Sequence, residues 1–234
     1  MNHTETSKQS TAKRPAPEDE LPSMPNWGVK LIRFVGLNLS RLLFRIRYTN
    51  MENIPPSGAK GLLVCANHQS FFDPFWIGFQ LVNRNHKLRF MTWDAATKWI
   101  LVGTFIRSLG AFPVNIERGG KAALKMSLGW LRANKTLMVF PEGTRTFSHG
   151  RMLEFKNGAV KLALDTGVSI LPVTIIGANR VWAQDMKFPR FGTVEIIYHP
   201  LFEITPAPAG VDAKEHLNNL TEKLAEIIGS ALPK

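Results

Sequence analysis

From residue 60 onward, short apolar runs of strand character alternate with stretches of helical period, and this alternation leaves few architectures open to the chain. Gly61 to Ala66 reads as a buried strand, followed by strands over Leu88 to Thr92, Ala111 to Ile116, Thr136 to Phe140, Val168 to Ile176 and Thr193 to Tyr198. Between them, helices are expected from Pro74, over Ala95 to Leu101, over Gly120 to Ala133, and over Lys156 to Asp165, the last stopping at Gly167. Asp212 to Ile228 forms a final helix, with Asp212 placed to cap it and Leu217, Leu220, Leu224, Ile227 and Ile228 as its apolar stripe. Strands separated by helices pair in parallel. The expected fold class is therefore α/β, a single domain with a central, largely parallel sheet flanked by helices. A chain of 234 residues is long enough for one such domain with a sizeable core. Val168 to Val173 is apolar around Pro172 and reads as a core strand near a sheet edge or bend.

The N-terminal part has a different character. Residues 1–25 are rich in Ser, Thr, Pro, Lys and Glu and are expected to form a disordered tail. Residues 26–47 read as an amphipathic helix, leaving 48–234 as the folded domain. In that helix Lys30, Arg33, Arg41 and Arg45 share one third of the circumference, whereas Val29, Leu31, Ile32, Val35, Leu39, Leu42 and Leu43 cover most of the rest. Phe34, Leu37 and Phe44 intrude on the basic side. One reading lays this helix in a membrane interface with its cations toward lipid phosphates; the other packs it on the domain core with a solvated basic face.

The charge balance supports an anionic partner. Lys and Arg number 29 against 18 Asp and Glu, a net of +11, which suits nucleic acid, an acidic membrane surface or phosphorylated substrates. No apolar run reaches the roughly 18 residues that mark a membrane-spanning helix, and the polar N-terminus lacks the apolar core of a secretion signal. The lone Cys65 excludes an intrachain disulfide and any cysteine-cluster metal site, and fits a reducing compartment. These features lead us to expect an intracellular protein.

Two segments carry the chemistry. Asn67-His68-Gln69-Ser70-Phe71-Phe72-Asp73 leaves the end of a buried strand, the edge at which loops of α/β sheets gather reactive groups. A neutral imidazole at His68 can accept the proton of an attacking hydroxyl, and a carboxylate at Asp73 on the other ring nitrogen would fix the tautomer. Asp before Pro74 is also an ordinary helix start, with Asp as N-cap, and a lone histidine is as often structural. Phe140-Pro141-Glu142-Gly143-Thr144-Arg145 follows another strand. Its Pro and Gly force a tight turn, Arg145 can grip a phosphate bidentately, and Glu142 either binds a substrate hydroxyl or orders the turn. Gly110 to Gly120 places Arg118 beside two glycines at a helix start, a further candidate anion site. There is no Walker-type loop, no Gly-x-Ser-x-Gly elbow and no histidine pair at zinc spacing, and no metal site is expected. His86, His149, His199 and His216 read as structural or exposed, and Lys156 and Lys161 as surface charges.

The ordered pair Asn67-His68-x4-Asp73 and Phe140-Pro141-Glu142-Gly143-Thr144-Arg145 resembles the glycerolipid acyltransferase family, in particular the bacterial 1-acyl-glycerol-3-phosphate acyltransferases. Weaker matches lie, in the expected order, at the segment ending in Arg118 and at Pro172, and Phe155-Lys156-Asn157-Gly158-Ala159 also fits. The similarity covers roughly residues 45–200. It implies an acyl-thioester donor, coenzyme A or acyl carrier protein, and a lysophospholipid acceptor. It implies His68 as base with Asp73 as its partner, and Arg118, Glu142, Gly143, Thr144 and Arg145 near the acceptor phosphate. No further cofactor is implied. It also implies an N-terminal helical element embedded in one leaflet, although this chain lacks the clear membrane spans of longer members.

The expected activity is acyl transfer to the sn-2 hydroxyl of lysophosphatidic acid, giving phosphatidic acid, by a protein peripheral to the cytoplasmic face of the inner membrane. The same chemistry on lyso-ornithine lipid, lysophosphatidylglycerol or monolysocardiolipin is the nearest alternative. A non-catalytic protein bound to anionic phospholipid membrane is an alternative of another class. A nucleic-acid partner is not expected, because no basic-aromatic recognition module accompanies the charge.

Overall fold

The computed structural model describes residues 26–58, 60–93, 106, 109–114 and 121–233. The expected tail, the helix expected over 95–101 and Arg118 lie outside these residues. Seven strands form one sheet: β1 (Ile46–Thr49), β2 (Leu62–Ala66), β3 (Leu88–Trp93), β4 (Ala111–Val114), β5 (Thr136–Val139), β6 (Ile170–Ile176) and β7 (Val194–Tyr198). Their spatial order is β1-β7-β6-β2-β5-β3-β4. Every pairing is parallel except β6 with β7, so the largely parallel α/β sheet read from the sequence is the fold. The described helices are α1 (Asn26–Phe44), α2 (Asp73–Asn83), α3 (Lys121–Arg132), α4 (Gly158–Thr166), α5 (Asn179–Trp182) and α6 (Ala213–Gly229).

Both faces of the sheet are covered, which explains why β2 is apolar at every position. Leu62, Val64 and Ala66 face a layer containing Trp76, Ile77 and Leu81 of α2, with Phe44 from the end of α1. Leu63 and Cys65 face Leu131 of α3, Ala159 and Val160 of α4, and Leu224 and Ile228 of α6. Strands buried on both sides lose the polar alternation of a half-exposed strand. Helix ends follow local chemistry. Gly167 closes α4 in the left-handed conformation, φ 67°, a backbone that glycine adopts without Cβ strain. The Asp212 carboxylate accepts the N–H groups of Lys214 and Glu215 and so caps α6.

Three expectations need correction. The helix expected to run to Arg47 ends at Phe44; Arg45 turns the chain at φ 43°, and 46–49 becomes β1, parallel to β7. The four-residue run Ile-Arg-Tyr-Thr continues an amphipathic stretch, so its strand period is too short to stand out. Of the sheet edge or bend expected at Pro172, the structure has the bend and not the edge: β6 lies between β2 and β7. The proline is tolerated because β6 turns its Pro172 side toward the chain leaving β7. There the register slips by one residue between Val173↔Tyr198 and Ile170↔Phe202, a bulge opposite the missing N–H. Asp73 is the first residue of α2 rather than its N-cap, and Phe72 holds the cap position without a side-chain bond. The short α5 and the 3-10 turn over Met51–Asn53 are too brief to carry a periodic signal.

The side chain of Asn67 extends β2 by one step. Its Oδ1 accepts the N–H of Ile175 at 2.7 Å and its Nδ2 donates to the carbonyl of the same residue at 2.9 Å, so a buried amide mimics a strand residue on β6. Leaving buried polar groups unmatched costs about 1–3 kcal/mol each. Asn67→Ala should therefore lower the unfolding free energy by about 2 kcal/mol or more, read from the urea midpoint at unchanged m-value. A midpoint equal to wild type would contradict this role.

Candidate active site

Strands β2 and β5 are neighbours with Cys65 opposite Val139. The segments that follow them, 67–68 and 140–142, therefore leave the sheet side by side at its C-terminal edge, where open α/β sheets place their ligand sites. Backbone and carboxylate bonds tie them together. Thr146 N–H donates to the His68 carbonyl at 2.8 Å. Glu142 Oε1 accepts His68 N–H at 2.7 Å, while Oε2 accepts Leu153 N–H at 2.9 Å. Gln69 reaches the start of α5, its Oε1 accepting Ala178 N–H at 3.1 Å.

Within the first loop, Asp73 Oδ2 is the hub. It accepts the N–H groups of Gln69 at 2.6 Å and Ser70 at 2.7 Å, and it lies 2.9 Å from His68 Nδ1. A carboxylate only accepts, so Nδ1 carries the proton toward Asp73 and Nε2 is left as the basic atom. The His68 side chain is 14% exposed and Asp73 is 0% exposed, so the ring reaches solvent from a buried anchor. Its other support is Phe140, stacked at 3.9 Å between centroids and 14° between planes. No hydrogen bond to Nε2 is found among the described residues. The arrangement fixes one orientation of the imidazole and, for its neutral form, one tautomer, as a general base requires.

The second loop adds structure and charge. Phe140 to Gly143 is a tight turn closed by Gly143 N–H to Phe140 O at 3.0 Å, with Gly143 at φ 75°. A Cβ there would meet the Lys156 ammonium, so the glycine also lets that cation close over the turn. Glu142 is buried with both oxygens committed to backbone donors; it orders the site. Burial pushes its carboxyl up to about 7, the two backbone bonds pull it down, and the charge of Asp73 adds to the rise. Arg145 crosses to the first loop and sets its guanidinium 3.6 Å over the Phe71 ring. Burial lowers its pKa, and the nearby Asp73 charge offsets part of that. Its Nε is buried without a hydrogen-bond partner among the described residues. Thr144 lies at the exposed rim, 3.3 Å from Gln184 Oε1.

The structure thus brings together His68, Asp73, Glu142, Gly143 and Arg145, with Thr144 at the margin. Asn67, Gln69 and the stacked Phe140 were not singled out from sequence. They lie inside the two motifs, but a bracing amide or a stacked ring has no signature of its own. Lys156 is exposed, as expected of a surface charge, and its ammonium also lies against Gly143 of the turn. His86 is elsewhere, buried between Thr136 Oγ1 and the Pro55 carbonyl.

Comparison with known proteins identifies relatives of this chain. The model of the Acyltransferase family matches residues 45–176. A probable 1-acyl-sn-glycerol-3-phosphate acyltransferase of Mycoplasma pneumoniae is 32% identical over 210 residues, 84% of this chain and 76% of that protein. The 1-acyl-sn-glycerol-3-phosphate acyltransferase of Borreliella burgdorferi is 30% identical over 168 residues, covering 68% of this chain and 62% of its own length. A chloroplastic enzyme of that name from Arabidopsis thaliana is 28% identical over 159 residues, 67% of this chain but 43% of its own. The chain thus spans about half the length of some of the curated relatives it matches. The crystal structure of the 1-acyl-sn-glycerophosphate acyltransferase PlsC from Thermotoga maritima superposes with a TM-score of 0.68 at 27% identity, covering 86% of this chain and 77% of that one. With the family model spanning more than half of its residues, and both loops of the site inside that span, this chain belongs to the acyltransferase family.

Proposed function

We propose that the protein transfers a fatty acyl group from an acyl thioester, carried by coenzyme A or acyl carrier protein, to the sn-2 hydroxyl of lysophosphatidic acid. The observation that carries this reading is the His68–Asp73 pair, held at the sheet edge with Nε2 as its basic atom and the Arg145 loop beside it. The acceptor hydroxyl oxygen attacks the thioester carbonyl carbon while Nε2 takes its proton. The tetrahedral intermediate then collapses, the C–S bond breaks, and the imidazolium returns the proton to the departing thiolate. Asp73 stabilises the transient imidazolium and holds the ring. No serine or cysteine nucleophile is needed, since the alcohol attacks directly. Arg145 and Arg118 supply cations for the acceptor phosphate, with Gly143 and Thr144 shaping the turn around it. The relatives' names and the +11 charge support an anionic lysolipid acceptor.

Helix α1 supports a peripheral place on an anionic membrane; the cytoplasmic face of the inner membrane is part of the same proposal. Its Trp27, Leu31, Phe34, Val35, Leu39 and Leu42 are exposed rather than packed on the core, and Arg41 is exposed beside them. No described helix is long and apolar enough to cross a membrane. An apolar face in solvent flanked by cations suits the headgroup boundary.

A thiol-release assay with lysophosphatidic acid and both donor types tests the reaction, and a panel of lysolipid acceptors tests its specificity. General base catalysis contributes about 10²–10⁴ in rate, so His68→Ala should lose at least that factor in kcat while keeping the wild-type melting temperature. A folded, fully active variant would contradict the mechanism. Arg145→Ala should instead raise KM for lysophosphatidic acid roughly ten- to hundredfold, the equivalent of a charged hydrogen bond worth about 1.5–3 kcal/mol; a change confined to kcat would contradict phosphate capture.

Glu142 gives a prediction in pH. Its folded pKa of about 7 lies above the ordinary value of 4.5, so the folded state binds the proton more tightly than the unfolded state. Its contribution to stability is complete below the lower value and is lost as pH rises through the upper one. The melting temperature of wild type relative to Glu142→Gln should therefore rise as pH falls from about 7 toward about 4.5. A difference that is flat across this window would contradict the raised pKa.

A further inference from the structure

The segment between α5 and β7 is fixed at its base and unburied at its tip. Trp182 Nε1–H donates to the Met186 carbonyl at 3.3 Å, Arg190 N–H to the Val181 carbonyl at 2.8 Å, and the Ser148 hydroxyl to Asp185 at 2.7 Å. Between these anchors Lys187-Phe188-Pro189-Arg190-Phe191 is exposed at every position. Phe188 is 77% and Phe191 81% exposed. No acid lies between residues 186 and 193, and a groove whose charged lining is Arg180, Lys187 and Arg190 with the single acid Asp185 opens alongside. Two phenylalanines held in water by an anchored loop, interleaved with cations, match the layered chemistry of a bilayer boundary: an apolar edge under a plane of phosphates.

The loop is also continuous with α1 around the site. Trp182 packs on Phe71 at 4.7 Å and on Phe72 at 5.1 Å, and Phe72 packs on Phe44 at the end of α1 at 5.4 Å. The loop that carries His68 therefore lies between α1, which exposes Trp27 and Phe34 at 69% each and Leu42 at 79%, and the 187–191 tip.

We propose that Lys187–Phe191 is a second membrane-contact element, seating Phe188 and Phe191 at the acyl-chain boundary and Lys187 and Arg190 on the phosphates of an anionic bilayer, so that the leaflet meets the protein on both sides of the His68 loop. This rests on the reading of the protein as a peripheral enzyme of anionic lipid. It adds a contact to which neither the family resemblance nor α1 points.

The test uses the full chain and vesicles of phosphatidylglycerol and phosphatidylethanolamine. Cys65 is buried and is the chain's one cysteine, so Phe188→Cys can be labelled selectively with an environment-sensitive fluorophore. The label should shift to the blue on these vesicles and much less on neutral phosphatidylcholine. Phe188→Ala/Phe191→Ala should weaken partitioning with an unchanged melting temperature, and Lys187→Gln/Arg190→Gln should weaken it by about fivefold per cation, corresponding to about 1 kcal/mol each. If wild type binds, an α1 variant (Phe34→Ser/Leu42→Ser) releases it, and the loop variants bind as wild type with an unshifted label, the loop proposal is overturned while the membrane reading stands. If wild type ignores anionic vesicles altogether, the membrane reading fails and takes the proposal with it. Loop variants that bind vesicles normally but lose rate with acyl carrier protein as donor, and not with coenzyme A, would assign the tip to a protein partner and overturn the lipid assignment.

Discussion

A single carboxylate oxygen organises the reactive edge of this protein. Asp73 Oδ2 gathers two backbone N–H groups and the His68 ring within 2.9 Å. The carboxylate is wholly buried, and the hydrogen bonds it accepts among the described residues come from these donors, so the loop is drawn tight around it. The same contact that shapes the loop fixes which ring nitrogen is protonated. Structure and proposed reactivity are therefore one arrangement here: loosening the loop would also release the ring of the proposed base.

Around that centre the fold supplies rigidity in layers. Asn67 fastens the end of β2 to β6, Gln69 fastens the loop to α5, and Glu142 fastens it to the turn after β5. Each uses a buried side-chain amide or carboxylate to satisfy backbone groups that leave the sheet unpaired, and buried groups of that kind are costly when unmatched. Glu142 differs from Asp73 in consequence. It bridges two loops through backbone donors, and its burial raises its pKa to about 7, so the brace itself senses pH. Arg145 stands over Phe71, which places a cation against the loop that carries His68.

Much of this was legible in the chain, for identifiable reasons. The apolar run of β2, the Gly167 stop and the Asp212 cap are local signals, and local physics placed them correctly. The His68 and Glu142 motifs are joined in the sequence by the family resemblance that the ordered pair carries; that both exits meet at one edge follows from β2 and β5 being parallel neighbours. What stayed hidden was tertiary. Residues 46–49 become a strand because β7 is there to pair with them, which no window around Ile46 reveals. Pro172 sits in an interior strand because a bulge opposite absorbs its missing donor. Asp73 serves the preceding loop instead of capping its own helix, and that choice depends on where residues 69 and 70 point their N–H groups. The exposed face of α1 is likewise a matter of what does not pack against it.

The claim on which the rest depends is that Asp73 holds the proton of the His68 ring on Nδ1 and leaves Nε2 bare. Nitrogen-15 NMR of histidine-labelled protein at alkaline pH reads this directly. The His68 ring should show a protonated Nδ1 and an unprotonated Nε2, and Asp73→Asn should collapse that preference toward a mixture of tautomers. A ring protonated on Nε2 in the wild type, or a tautomer indifferent to residue 73, would contradict it.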